Sequence, residues 1–352
     1  MTETAKRQGR GKRAAVLLGI GAALLALFLV SHAIGRYSVP VADVIKILFR
    51  RLWVVIGLDR VRPMAVTWTW QMENAVINVR LPRILMACMV GCSLSAAGAT
   101  FQGVFRNPMA SPDILGASNG AAFGAALAIL LGLSTRMITA FAFLGALLTV
   151  VLVFLIARWA PGMRTVNLIL AGIMIGSLFS AGTSYLKLVA DPSDQLPAIT
   201  YWLMGSLSGV RLETLPTAAI PMAVGLLPLL LLRWRLNLLS LGESEARALG
   251  VNTDLLRAVL ILCATLITAA SIAVSGVIGW VGLVIPHLSR KLIGSDHRGL
   301  LPCSMLLGGA FLLLADGVSR NLLATEIPLG ILTAVIGAPF FIFLLLRREK
   351  TL

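Results

Sequence analysis

The sequence is poor in acid, in histidine and in charge of any kind. Of 352 residues only 15 are Asp or Glu and 3 are His, and charged side chains make up 13%, against about 25% in soluble domains. Too little polar surface is available to clothe a water-soluble globule, so that class is excluded. The scarcity also removes most catalytic chemistry. His32, His287 and His297 stand far apart and show no ligand spacing. No GxxxxGK[ST] loop occurs, so the chain does not bind and hydrolyse ATP by that route. HExxH, GxSxG and kinase signatures are missing as well. A membrane-embedded hydrolase would need a nucleophile with its base, or a metal cluster, and neither is found. Cysteine is scarce too. Cys88, Cys92, Cys263 and Cys303 lie in or beside apolar runs. Cys88 and Cys92 share a helix face, but with no His or carboxylate near them in sequence they read as packing positions, not metal ligands. A disulfide framework is not suggested.

What remains is apolar. Hydrophobic residues make up 58% of the chain and the mean hydropathy is +0.92. Serial runs of about 20 residues fit helices crossing a hydrocarbon core of about 30 Å; the short alternating strands of a β-barrel are not seen. The expected spans are 14–30, 81–105, 113–132, 137–157, 166–187, 214–233, 255–274, 277–293, 302–323 and 330–346. These make an all-α membrane protein of ten helices with both termini on one side. Residues 1–13 form a basic N-terminus, 14–346 one transmembrane domain, and 347–352 a tail. The opening MTETAKRQGRGKR and its apolar run resemble a signal peptide, yet the run exceeds the usual apolar region and reads as an uncleaved first helix.

The net charge of +15 is topological in this setting. Basic stripes interleaved with aromatics are missing, so nucleic-acid binding is not indicated. Lys and Arg instead gather in alternate loops, at Arg106, Arg158, Arg164, Arg233, Arg235, Arg290, Lys291, Arg298 and the tail, which marks those loops as cytoplasmic. The loop from about 35 to 80 disagrees: it should face outward yet holds Arg36, Lys46, Arg50, Arg51, Arg60, Arg62 and Arg80. Within it, Val41–Trp53 has the pattern of an amphipathic surface helix.

Gly116, Gly120 and Gly124, and likewise Gly172 and Gly176, recur every four residues, as on helix faces that pack closely. Asp316 and Arg320 are i, i+4 and expected to pair; a single such pair is thin material for a proton-coupled carrier. FRNPMASPDILG, residues 105–116, reads as a stop-and-start turn. Pro108 ends one helix, Ser111 caps the next, Pro112 takes its first position and Asp113 lies near its positive end. Between two spans, residues 235–254 form a polar segment containing LGESEARALG. Acidic residues open a short helix, Gly250 closes it, and Leu239, Leu241, Ala246 and Leu249 give one apolar side. Such a helix docks into a groove on another protein or lies on lipid headgroups.

RLPRILMACMVGCSLSAAGATFQGVFRNPMASPDILGASNGAAFG, LILAGIMIGSLFSAGTSYL, YWLMGSLSGV, LGESEARALG, SGVIGWVGLVIPHLSRKLIGSDHR and IPLGILTAVIGAPFFIFLLLRR, in that order from about residue 80 to the end, resemble the FecCD-type permeases of ABC importers. These carry iron-siderophore complexes, haem or cobalamin. The resemblance implies a type II ABC importer permease fold in the bacterial cytoplasmic (inner) membrane, multi-pass, paired with a second permease subunit. It also implies two separate ATP-binding subunits using ATP and Mg, and an external substrate-binding protein. The chain itself would be no enzyme and hold no cofactor or metal. The resemblance favours docking for the short helix, with Leu241, Gly242, Glu243, Glu245, Ala246, Arg247 and Gly250 as the ATPase-coupling residues. Arg320 matches a position that meets the binding protein, and Arg50, Arg51, Arg60 and Arg62 fall in the corresponding outer loop. Arg36 and Arg80 read as headgroup contacts. Thr165, Val166 and Asn167 correspond to a cytoplasmic gate, with Val166 a departure from the usual small hydroxylated residue. Ser177, Ser180 and Ser184 either line the pathway or back-bond to their own helix. Ferric siderophore is the expected cargo, haem or cobalamin the alternative, and an ATP-independent carrier the rival class.

Overall fold

The computed structural model describes residues 3–35, 37–58, 66–161 and 163–346, and among these every regular element is helical. In chain order they are α1 (Glu3–Ala33), α2 (Val41–Val55), α3 (Trp70–Asn74), a π-turn (Ala75–Arg80), α4 (Leu81–Phe105), a 3-10 turn (Pro112–Leu115), α5 (Ala117–Leu130), α6 (Thr135–Trp159), α7 (Arg164–Val189), α8 (Gln195–Met204), a 3-10 turn (Leu212–Thr214), α9 (Leu215–Leu241), α10 (Glu243–Ala248), α11 (Thr253–Ser275), α12 (Val281–Ile293), α13 (His297–Asn321) and α14 (Leu329–Leu346).

Seven of the described helical stretches are long and apolar enough to cross a membrane: Gly11–Ala33, Trp70–Phe105, Thr135–Trp159, Thr165–Val189, Leu212–Leu241, Thr253–Ser275 and His297–Asn321. Ala117–Leu130 and Leu329–Phe343 are apolar but shorter, and α12 has 13 residues. The expected surface helix is present as α2. It buries Val44 and Ile47 against Val39, Trp68, Val76 and Ile77 and leaves Ile45, Phe49 and Leu52 outward.

Several boundaries differ from expectation: α9 runs on to Leu241, α12 begins at Val281 and α13 at His297, and three others have a local cause. The first helix begins within the basic N-terminus, at Glu3, because no proline interrupts it there. The second begins at Trp70 and not at 81, since Thr69 caps α3 by accepting from the Met72 N–H at 3.4 Å and the π-turn leads straight into α4. The third does not run unbroken from 113. Gly116, at φ 72°, separates a 3-10 turn from α5. Ser111 makes no side-chain cap, while Pro112 does take the first position; the Asp113 carboxylate accepts from the Ser118 hydroxyl.

α4 is the central staff and 20 of its residues are buried. It runs antiparallel to α13, with Arg83 beside Asp316 at one end and Gly103 beside His297 at the other. Small residues permit the approach. A Cβ on Gly98 would run into the Gly282 carbonyl of α12, and one on Gly91 into that of Gly308 of α13. Gly120 and Gly124 meet α6 at Gly145 and Phe141 in the same way, so the repeated glycines are packing positions. α1 lies along α13 and is tied at both ends. Arg13 reaches Asp296 at 2.7 Å. Arg80, only 6% exposed, donates to the carbonyls of His32 at 2.5 Å, Ala33 and Tyr37. Arg80 therefore caps the end of α1 and is not a headgroup contact. Its guanidinium fills the acceptors that a helix C-terminus leaves free.

Candidate functional site at the basic end of the bundle

The start of α13 and the ends of α4, α9 and α12 converge at one end of the molecule, where α10 is mounted directly on α9. Gly242 makes the junction with φ 140°, a backbone region that side chains rarely adopt. Its missing Cβ also leaves the room that the Glu245 carboxylate occupies as it folds back. That carboxylate accepts from the Ser244 hydroxyl at 2.9 Å. Its own backbone N–H, Ser244 and the nearby Arg106 charge hold it below the usual carboxylate range. At the far end, Gly250 N–H donates to Arg247 O at 2.9 Å and Val251 N–H to Ala246 O at 3.1 Å. With Gly250 at φ 78° this is the paired-bond termination that favours glycine, as its sequence suggested. Arg247 links forward to the start of α11, donating to Thr253 Oγ1 at 3.2 Å and pairing with Asp254 at 3.4 Å. Glu243 opens the helix; its side chain is outside those described.

The apolar residues of this segment do not share one side. Leu239 and Ala246 are buried, 5% and 0% exposed, and seat α10 on the bundle, whereas Leu241 and Leu249 are 61% and 62% exposed. The periodicity expected of one continuous helix fails because Gly242 breaks the register between 241 and 243. A short helix braced by its own base thus presents two leucines, Glu245 and Arg247 outward.

Beneath α10 the same end carries a polar network. Asp296 accepts from Arg13 at 2.7 Å, the Asn237 amide at 2.8 Å and the Arg298 N–H at 3.0 Å. Burial alone would raise its pKa, but those three donors outweigh it and the carboxyl is held below its usual value. Asn237 Oδ1 in turn accepts from the His297 backbone N–H and faces His297 Nδ1 at 3.0 Å. Arg290 Nη2 donates to Gln102 Oε1 at 2.6 Å. Arg106, which follows α4, adopts a left-handed φ of 50°, and Asn107 Oδ1 accepts from the Met109 N–H at 2.9 Å, so FRNPMASPDILG is a fixed turn.

At the opposite end the expected pair Asp316–Arg320 forms at 3.0 Å, but within a larger group. Arg83 Nε donates to Asp316 at 2.8 Å and its Nη1 to Glu326 at 2.8 Å. Asp316 is fully buried, and the Arg83 and Arg320 side chains are 8% and 11% exposed. Arg320 is therefore largely committed within the chain. Arg83 and Glu326 were not singled out by sequence, because nothing in an apolar run reveals which loop carboxylate will reach back to it. Arg50 pairs with Glu73 at 3.3 Å and stacks 6.0 Å from the Trp68 ring centroid; Arg51 is exposed. Arg60 and Arg62 lie outside the described residues.

Along α7, Val166 is exposed, while the Asn167 amide donates to the carbonyls of Ala160 at 3.0 Å and Pro161 at 3.1 Å, holding the turn into the helix. Thr165 is half-buried beside them. Ser177 and Ser184 donate to Ile173 O at 2.8 Å and Ser180 O at 3.0 Å, so both back-bond. Together with Ser180 they lie on the outward face of α7 with Met174, Leu178 and Tyr185. Among the described residues no group of His, Cys, Asp and Glu could hold a metal ion.

A bundle in which seven described helical stretches are long and apolar enough to cross a membrane belongs to the multi-pass membrane class. Residues 23–347 match the FecCD transport family, and the chain belongs to that family. It is 41% identical over 335 residues to the molybdate import system permease protein MolB of Haemophilus influenzae, covering 95% of this chain and 96% of that one. To the hemin transport system permease protein HmuU of Yersinia pestis it is 39% identical, over 93% and 95%. A solved inward-facing structure assigned to the metal-chelate type of ABC transporter superposes with a TM-score of 0.83 at 40% identity, covering 95% of this chain and 99% of that chain. The chain is thus an ABC transporter permease of the FecCD type.

Proposed function

We propose that the chain is the membrane subunit of an ATP-driven importer of bulky metal chelates, ferric siderophore first among them. It would work by alternating access, with ten spans in a paired permease. The observation that carries this reading is α10: a rigid short helix, seated by Ala246 and closed by Gly250, offering Leu241 and Leu249 at the basic end. Arginine enrichment there supports a cytoplasmic position with both termini on that side. Two separate ATP-binding subunits would take α10 in their clefts and supply the hydrolysis of ATP. A substrate-binding protein would dock at the other end, where Arg51 is exposed and Arg50 and Arg320 are already partnered. The outward face of α7 is apolar and hydroxylated without carboxylate or imidazole, which suits passage of a complete, already chelated cargo in preference to a bare ion. A second reading, an oxyanion cargo, is favoured by the similarity to a molybdate permease; haem and cobalamin remain alternatives within the first.

Gly250→Pro and Glu245→Lys are expected to leave the protein folded in the membrane while cutting uptake by vesicles reconstituted with the ATPase at least tenfold. Undiminished uptake by both variants would defeat the coupling role. Competition of labelled ferric siderophore by haem, cobalamin and molybdate would then read the cargo.

A further inference from the structure

The polar network under α10 encloses a pocket of about 350 Å³, open on one side. Gln102, Arg106, Asn237, His287, Arg290 and His297 line it, and its lining contains no carboxylate. The nearest acid of the network, Asp296, is already taken up by Arg13, Asn237 and the Arg298 N–H. Glu245 is close enough to Arg106 to feel its charge, but its carboxylate is turned back over Gly242. Two guanidinium groups, the only charged side chains in the lining, therefore face one cavity with no carboxylate beside them. A cleft lined by charge of one sign concentrates positive potential.

The wall is preorganised. Gln102 is 3% exposed; its Nε2 donates to Leu283 O at 3.3 Å and its Oε1 holds Arg290 Nη2 at 2.6 Å. Arg290 Nη1 is screened from solvent and has no hydrogen-bond partner, which is costly for a charged donor. The left-handed backbone at Arg106 fixes where the second guanidinium leaves the chain. Gly103 keeps the wall thin, since a Cβ there would stand 2.7 Å from His297 Nε2. Planar guanidinium groups suit the paired oxygens of a tetrahedral oxyanion.

We propose that this pocket binds a tetrahedral oxyanion of the phosphate class, either free in the cytoplasm or as the headgroup of an anionic phospholipid. Its lining comes from the ends of α4, α9 and α12 and the start of α13, so an occupant cross-links the base on which α10 stands. No residue of α7, the proposed cargo route, lines the site, and the proposal does not depend on which chelate is carried.

The test uses the full-length protein in detergent and in nanodiscs. Thermal unfolding is followed by tryptophan fluorescence against inorganic phosphate at constant ionic strength, and against phosphatidylglycerol content in place of a zwitterionic lipid. A saturable rise in midpoint is expected. Response to phosphate in detergent identifies the free ion as a ligand, and response to phosphatidylglycerol alone identifies the headgroup. Arg290→Gln and Arg106→Gln should each weaken the apparent affinity at least tenfold, while Arg136→Gln, in the first turn of α6 beside Glu213 and outside the pocket, should not. Arg106 is exposed, so its variant keeps the test open even where Arg290→Gln does not fold. No saturable rise with either probe, or an unchanged response in Arg106→Gln, would overturn the proposal.

Discussion

Asp316 is held on both sides by charge. It is wholly buried between Arg83 at 2.8 Å and Arg320 at 3.0 Å, and Glu326 completes two cations with two acids. Taking one member from a buried ion group leaves uncompensated charge, at a cost of about 3–5 kcal/mol. Asp316→Asn should therefore lower the thermal midpoint steeply. Arg320→Gln should lower it less, because Asp316 keeps its bond to Arg83; comparing the two melts in detergent checks the order. At the other end, Asp296 gives a pH signature. Its folded-state pKa lies below the usual 3.8, so its stabilisation is fully present above that value and is lost as pH falls through the folded pKa. The midpoint of the parent protein should fall more steeply than that of Asp296→Asn as the pH is taken from 5 to 3. Of these contacts the sequence disclosed only the i, i+4 pair. Arg83, Glu326 and Asp296 are united by tertiary distance, which no local spacing encodes.

Several helices meet at glycines, backbone against backbone. A methyl group on Gly98 would meet the Gly282 carbonyl oxygen, which is backbone and cannot swing aside, whereas Gly19 of α1 has nothing within 4 Å of a Cβ. Gly98→Ala should cost at least about 1–3 kcal/mol by overpacking, while Gly19→Ala should be neutral or gain up to about 1 kcal/mol from helix propensity; yields of folded protein after a heat step would separate them. Apolar run length made seven of the ten expected spans legible beforehand, and the every-fourth glycines their packing faces; the runs at 113–132, 277–293 and 330–346 fold as shorter helices. Element ends were less so. The start at Trp70 depends on a π-turn, the break at Gly116 on a left-handed residue, and the burial of Arg80 on the end of a helix far away in sequence. In LGESEARALG both glycines were readable as punctuation, but the register break at Gly242 was not, which is why Leu241 and Leu249 face away from Leu239 and Ala246.

For the whole molecule, composition carried most of the conclusion. Scarcity of acid and histidine, long apolar runs and alternate basic loops point to a multi-pass helical membrane protein; the permease class came from the ordered motifs that match the FecCD family. That the energy source lies in a separate subunit follows from membership of a family of ABC permeases. The central claim is that import is driven by ATP through the contact made by α10. It is tested most directly by measuring chelate uptake into vesicles holding this chain, its ATPase and its binding protein, with internal ATP and the proton gradient varied independently. The account predicts that uptake stops on removal of ATP and persists when a protonophore collapses the gradient. Uptake that continues without ATP and ceases with the protonophore would contradict it.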